Sequence, residues 1–464
     1  RLARVNDVGG RSITFAEDPT GQINSITRKD GTVSNFEYDE ARRLVSLRYA
    51  DGSRARSTYD AAGRRLSRTH RDGNVTSAIY DAIGRVITSV NADGTLSATT
   101  YDAAGRMLSR TDERGQVTTY AYAPNHVAVT DPLGNVTVQD SDGDGPPSVV
   151  GSEGNVVRVV DARGNATLYT YDRSGDAHGR GRLLRITFPD ATQISYTYDA
   201  TGRRTAMTDQ AGRTTRYTYD ALGQLTAVTD ALGAITRYGY DEAGNPISVT
   251  DASGRVNRLE YDGSGRLTRR FLPLGQSERR TYDANGVVLS STDFAGRTTT
   301  YSYANGRRLA KQTSDGRLDT YDYSPEGLRL RAGDDHYTYD APGRMVSETK
   351  ATGGIIAHTY DAAGNRTSLA TPHGTITYAY DELNRLTTVT DPEAGVTRYT
   401  YDANGNPITR VLPDGTTTAY GYDSLNRVVT IQTKNASGEL VGSYTYTRGA
   451  AGHILRVVEA PSGR

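Results

Sequence analysis

Three carboxylates stand at alternate positions in Asp140-Ser-Asp142-Gly-Asp144-Gly145, the order in which the first half of a calcium loop gathers oxygens around one ion. The twelfth position of such a loop should be Glu and here is Gly151, so Asp140, Asp142 and Asp144 form an incomplete calcium candidate. No other metal and no cofactor is expected. The histidines, at 70, 126, 178, 336, 358, 373 and 453, are scattered, and none stands at zinc-ligand spacing from another His or a carboxylate. No Gly-x-Ser-x-Gly elbow presents a nucleophile. Aspartates are plentiful but equivalent, whereas acid–base chemistry needs one special pair. No catalytic residue is assigned, and the chain is expected not to be an enzyme. Arginines after a glycine, at Arg64, Arg85, Arg106, Arg203, Arg266 and Arg344, could line a basic stripe for glycans or nucleic acid. With 54 charges of each sign interleaved, the expected use is pairing with turn aspartates or stacking over tyrosine. No basic face and no nucleic-acid partner is expected.

The elements that must hold these residues follow from one stretch. Between Asp199 and Asp262 an Asp-x-x-Gly group opens at 199, 209, 220, 230, 241 and 251, separated by runs rich in Thr, Tyr, Val, Ile and Leu. Asp at the first corner of a turn accepts backbone amides, and Gly three positions on tolerates positive φ, as in a type I turn closed by a left-handed residue. The runs are too short for helices, and β-branched and aromatic residues favour strands. Two runs and two turns make a 21-residue hairpin. In Arg216-Tyr217-Thr218-Tyr219 the tyrosines share one face, with Arg216 and Thr218 on the other. Leu225 and Val228 on the returning run differ in parity, which fits either a bulge or partial burial of both faces.

Tyr-Asp pairs recur 16 times, most of them 21 residues apart. The motif residues are Tyr59, Asp60, Gly63 and Arg64; Tyr101, Asp102, Gly105 and Arg106; Tyr198, Asp199 and Gly202; Tyr219, Asp220 and Gly223; Tyr240, Asp241 and Gly244; and Tyr401, Asp402 and Gly405. Their expected role is structural. Between 123 and 170 the Tyr-Asp pairs vanish, while turns at 131–134, 140–143, 151–154 and 161–164 keep the rhythm, so strands are expected there too. Residues 176–181 read as a loop insertion, and the spacing slips again near 304–338, where Asp334-Asp335-His336 stands in place of a regular turn.

A fixed short period in 464 residues argues for one repetitive body, 1–464, rather than several domains. Only 36% of residues are hydrophobic, yet there are 50 Gly and 32 Tyr and no Cys or Trp. Tyr can bury a ring while its hydroxyl stays wet, which suits a thin sheet without a thick core. No apolar run approaches a membrane span. Both ends fall inside the pattern, so the sequence reads as a segment of a longer chain.

Tyr-Asp-Ala-x-Gly-Arg, as at Tyr59–Arg64 and Tyr101–Arg106, closely resembles the YD repeat of bacterial Rhs proteins, which also occurs in teneurins and in the C component of insecticidal toxin complexes. The resemblance covers nearly the whole chain. It implies an all-β architecture of tandem 21-residue hairpins in a spiralling sheet, part or all of a hollow β-shell. It also implies a secreted or bacterial cell-surface setting and, in toxin members, a C-terminal effector domain enclosed by the shell and a self-cleaving plug. Neither plug nor effector follows Tyr446 in this sequence. The expected partners are accordingly an effector domain or flanking shell repeats outside this sequence. The alternative is an adhesive surface for glycans or a surface protein, using exposed Tyr and Arg and the loops at 176–181 and 334–336.

Overall fold

The computed structural model describes residues 4–6, 12–28, 31–142, 154–172, 181–283, 286–304 and 307–461. It contains 43 β-strands and, among the described residues, no helix. Among the described residues, no helix is long and apolar enough to cross a membrane. The chain forms two interleaved compact units. The first comprises Arg1–Leu96, Tyr219–Val228 and Ala234–Ile356, and the second Ser97–Thr218, Thr229–Gly233 and Ala357–Arg464.

Within each unit strands pair antiparallel with their neighbours in sequence, as Arg54–Tyr59 does with Leu44–Arg48 before it and Arg65–Thr69 after it. Corners close by the route that the Asp-x-x-Gly spacing predicts. The Gly63 amide donates to the Asp60 carbonyl at 3.0 Å, the Asp60 amide to the Arg64 carbonyl at 2.9 Å, and Gly63 takes φ 83°. Only glycine adopts that region at no steric cost, and a Cβ on Gly63 would meet nothing, so backbone conformation alone fixes this residue. The same positive φ occurs at Gly105, Gly202, Gly223, Gly244 and Gly405.

Beside most Tyr-Asp corners the register shifts by one residue, for example between Thr58 and Tyr59 and between Thr197 and Tyr198; Tyr321-Asp322 instead lies within the strand Leu318–Tyr323. Such a bulge reverses side-chain parity along the returning strand. In Leu225–Thr229 every residue is half-buried, so both faces are partly covered there.

Strands also run through the segment that lacks Tyr-Asp pairs, at His126–Thr130, Val136–Ser141, Val156–Val160 and Ala166–Tyr171. One turn expected there is displaced: Asp140 lies in a strand, opposite His126 on one side and Arg158 on the other. The hairpin closes further on, through the Asp142 amide and the Asn155 carbonyl at 3.0 Å. The expected turn at 151–154 and the insertion at 176–181 lie mostly outside the described residues. At 332–335 the four-residue corner gives way to a two-residue one, with Ala332 paired to Asp335 and Gly333 at φ 59° in the first central position, as a II′ turn requires.

The described hydrophobic residues that are fully buried number three, Ala55, Val127 and Tyr337. Ladders and half-buried cross-strand pairs, at roughly 0.2–1 kcal/mol each, must therefore carry the stability. On one face, hydroxyl pairs line up across the hairpins, with Thr58 to Ser67, Thr100 to Ser109 and Thr338 to Ser347 each at 2.6 Å.

Candidate functional site: the corner clasp

Each Tyr-Asp corner is built around a carboxylate. Asp60 Oδ1 accepts the Arg64 amide at 2.9 Å while Oδ2 accepts Arg64 Nε at 2.6 Å. The Arg64 guanidinium then reaches forward one repeat, donating to the Asp81 carbonyl at 2.9 Å and covering the Tyr80 ring at 5.2 Å. Tyr80 closes the circle by donating its hydroxyl to the Arg65 carbonyl at 2.8 Å. The same clasp joins Arg43 to Tyr59 and Asp60, Arg182 to Tyr198 and Asp199, Arg266 to Tyr282 and Asp283, and Arg385 to Tyr401 and Asp402. Pairing with Asp and stacking on Tyr are thus two halves of one arrangement.

The tyrosine hydroxyls were expected to stay wet. They instead bond backbone carbonyls 15 residues back: Tyr59 to Leu44, Tyr198 to Leu183, Tyr240 to Leu225 and Tyr401 to Leu386, at 2.7–2.9 Å. The cause is reach. Position 44 starts the adjacent strand just past the preceding corner, and a phenol spans one strand spacing.

Variation among corners is informative. At Asp241 and Asp402 the arginine is replaced by Asn245 and Asn406, whose Nδ2 holds the Asp Oδ2 at 2.9 Å. The Arg106 clasp keeps Asp102 and lies over Tyr122, 4.7 Å away. At Asp220 the Leu222 and Gln224 amides bond the carboxylate.

This hydrogen bonding sets the charge state. In Asp60 the Arg64 amide is the main influence holding the carboxyl below its ordinary 3.8; burial opposes it and the guanidinium adds to it. In Asp199 burial is the largest single influence and pushes upward, but Thr201 and Arg203 together outweigh it and hold the carboxyl far below that range. Burial raises the Tyr198 and Tyr401 phenols. A carboxylate held ionised in this way has no proton to transfer near neutrality.

Two of the three calcium candidates have other partners. Asp140 binds His126 Nδ1 at 2.7 Å and Arg158 at 2.9 Å, and Asp142 binds the Asn155 amide at 2.6 Å. Asp144 lies outside the described residues. No group of three or more metal-ligating side chains occurs among the described residues. The His126–Asp140–Arg158 rung, across three strands, was not visible in sequence because strand register creates it.

A second set of contacts links residues far apart in sequence. Within the first unit, Asn74 Nδ2 donates to the Ala341 carbonyl at 2.9 Å, Arg344 meets Asp93 at 3.4 Å, and the Arg71 amide donates to the Glu326 carboxylate. Within the second, Arg114 donates to the Asp381 carbonyl and Asn384 Oδ1, both at 2.8 Å. Arg163 repeats this on Asp423 at 3.1 Å and Asn426 at 3.0 Å. In each contact a corner of the early strands meets a Tyr-Asp-side corner of the late ones. Asn384 and Asn426 occupy the glycine position of their corners, at φ 61° and 59°. Asn tolerates the left-handed region and, unlike Gly, carries an acceptor there. Asp-x-Leu-Asn-Arg, at 381–385 and 423–427, was the overlooked sequence signal.

An all-β array of hairpins, joined corner to corner by repeated Arg-Tyr-Asp clasps, defines a repeat protein whose neighbours hold one another. The RHS Repeat family matches at 18–54, 38–75, 59–96, 80–117, 101–136, 178–215, 205–235, 219–256, 261–298, 360–396, 380–417 and 401–440, together more than half of the sequence. The chain belongs to that family. Among solved structures it resembles TcdB2-TccC3, with TM-score 0.67 at 15% identity over 99% of this chain, and TcdB2-TccC3 without its hypervariable C-terminal region, with TM-score 0.64 at 16% identity over 97%. It spans 31% and 27% of those chains, respectively. No curated protein sequence matches it.

Proposed function

We propose that this chain is a non-catalytic wall segment of a bacterial Rhs-type shell, secreted or displayed at the cell surface, and that 1–464 acts as one such segment enclosing or presenting an adjacent effector domain. The observation carrying this reading is the return of late corners onto early ones within a unit, as Asn426 meets Arg163. A strip of hairpins that coils back and bonds to itself leaves fewer exposed edges than a flat sheet would. Likeness to the TcdB2-TccC3 fold supports the reading, and the motif residues from Tyr59 to Gly405 serve it as structural clasps. Enclosure works by geometry: a wall keeps proteases from its contents, and a polar inner face does not grip them. The test is limited proteolysis of the chain joined to its natural downstream region. Enclosure predicts that this region survives digestion that destroys it when free; equal rates of digestion overturn the proposal.

A further inference from the structure

Among the described residues, some arginines on strand faces, away from the corners, have no ionic partner. In the first unit, Arg237, Arg258 and Arg279 sit at the third position of successive Tyr-bearing strands, all exposed, and no carboxylate pairs with them among the described residues. Register puts them on one face with Arg269. Arg258 stands opposite Phe271, Glu260 opposite Arg269, and Arg269 opposite Arg279. Four arginines against the single carboxylate of Glu260 make this face basic, contrary to the interleaving of charge along the chain. Like charges directly opposite one another destabilise a sheet, so stability alone does not account for the Arg269–Arg279 pair.

A recess of about 1030 Å³ opens on the same stretch, lined by Ile247, Arg258, Glu260, Phe271 and Leu274 among others. Leu274 is 87% exposed at its rim. Beside the recess, Arg269 spreads over the Phe271 ring at 4.3 Å and bonds Ser277 Oγ at 3.2 Å; the recess walls themselves combine Phe271 with Arg255 and Arg258 and with the carboxylates of Asp251 and Glu260.

We propose that this face binds an extended polypeptide segment that alternates acidic with apolar residues. Carboxylates would take the Arg258 and Arg279 forks, and an apolar side chain would enter against Phe271 and Leu274. Arginine and aromatic residues dominate the energetics of such surfaces. A nucleic-acid backbone fits less well, because its unbroken row of phosphates would meet Glu260 and leave Leu274 uncovered. The proposal stands whether or not the chain encloses an effector.

The test is fluorescence anisotropy with a short labelled peptide alternating Glu and Leu, a Gln-for-Glu version, and oligothymidylate. The Glu peptide is expected to bind, with affinity falling as salt rises through the screening range. Arg258→Glu and Arg279→Glu should each weaken it about tenfold, equivalent to about 1.4 kcal/mol, while Arg398→Glu in the second unit leaves it unchanged. Arg279→Gln should weaken binding yet raise the denaturation midpoint, a combination that a purely structural arginine would not give. If Arg258→Glu fails to fold, Arg258→Gln takes its place. Absence of peptide binding, indifference to these substitutions, or tighter binding of oligothymidylate would each overturn the proposal.

Discussion

Replacing Asn426 by glycine separates backbone conformation from side-chain chemistry. If Asn426 is present only because its corner needs positive φ, glycine does that work at least as well. Three donors converge on Asn426 Oδ1: Arg163 at 3.0 Å, Asn404 at 3.0 Å and Asn406 at 2.8 Å. An amide oxygen has two lone pairs, so about two bonds are satisfied at once, one of them charge-assisted; in this exposed setting their loss costs about 1.5 kcal/mol. The strain that glycine relieves is small for Asn and roughly offset by the entropy it adds to the unfolded chain, about 0.4–1 kcal/mol. Asn426→Gly should therefore destabilise by about 1–1.5 kcal/mol. Ala191 is the control: it takes φ 64° at the equivalent place in its corner. There a left-handed L-residue costs about 1–2 kcal/mol, so Ala191→Gly should stabilise. The two identical changes are predicted to have opposite signs. Hydrogen exchange read by mass spectrometry suits a repeat array, whose ends open locally. Peptides around 161–165 and 423–427 should exchange faster in Asn426→Gly, and those around 188–192 slower in Ala191→Gly. Slower or unchanged exchange in Asn426→Gly would refute the lock between early and late corners.

The remaining expectations concern the clasp. Arg64→Lys cannot hold the Asp60 carboxylate and the Asp81 carbonyl together, and the loss of the latter bond alone should cost about 1 kcal/mol, read as a lower urea midpoint. Tyr59→Phe strands the Leu44 carbonyl and should cost about 0.5–1.5 kcal/mol, whereas Tyr444→Phe, whose hydroxyl meets exposed Glu459, should be nearly neutral in the same titration. Acid should act on the corners of Asp60, Asp81 and Asp199. The folded carboxyl pKa values of Asp60, Asp81 and Asp199 lie below the ordinary 3.8, so their contribution is complete above that value and lost as pH falls through the folded ones. Circular-dichroism melts should be level from about pH 7 to 5 and decline below about 4; a decline beginning near pH 6 would point to other groups.

The hairpins were legible because turn chemistry is local. Asp-x-x-Gly at alternating 10- and 11-residue spacing states both where the chain turns and which residue turns left-handed, and no distant contact is needed to decide it. The half of the clasp within one corner was legible for the same reason. Stacking over tyrosine was legible as a kind of contact but not its partner, since Arg64 covering Tyr80 depends on how far a guanidinium reaches across two strands. The basic face around Arg258 was hidden by composition: equal charges overall say nothing about which side of a strand carries them. His126 and Asp140 met through register, and Asp140 left its expected corner because the hairpin closes at Asp142 and Asn155 instead.

The contacts between early and late corners reveal what a repetitive sequence cannot specify by repetition. Identical clasps fix each hairpin to the next but give no corner a reason to prefer one distant partner over another a repeat away. The preference must come from residues that break the pattern, and Arg114, Arg163, Asn384 and Asn426 do so. Arg114 and Arg163 are 49 positions apart, while Asn384 and Asn426 are 42 apart, two full repeats. The structural intervals nevertheless match. Four strands, from Val117–Ala123 to Val156–Val160, separate the arginines, and four, from Leu386–Asp391 to Thr417–Tyr422, separate the asparagines. The lock therefore counts strands and not residues, and the excess falls between Asp142 and Asn155, beyond the point where that hairpin has already closed. Shortening this connection to an ordinary corner should leave both arginine–asparagine contacts in place, seen as unchanged exchange protection at 161–165. Deleting one whole hairpin between the arginines should expose Asn384 or Asn426 instead, because its partner would arrive one repeat out of step; equal protection in the two deletions would show that the late corners accept any neighbour.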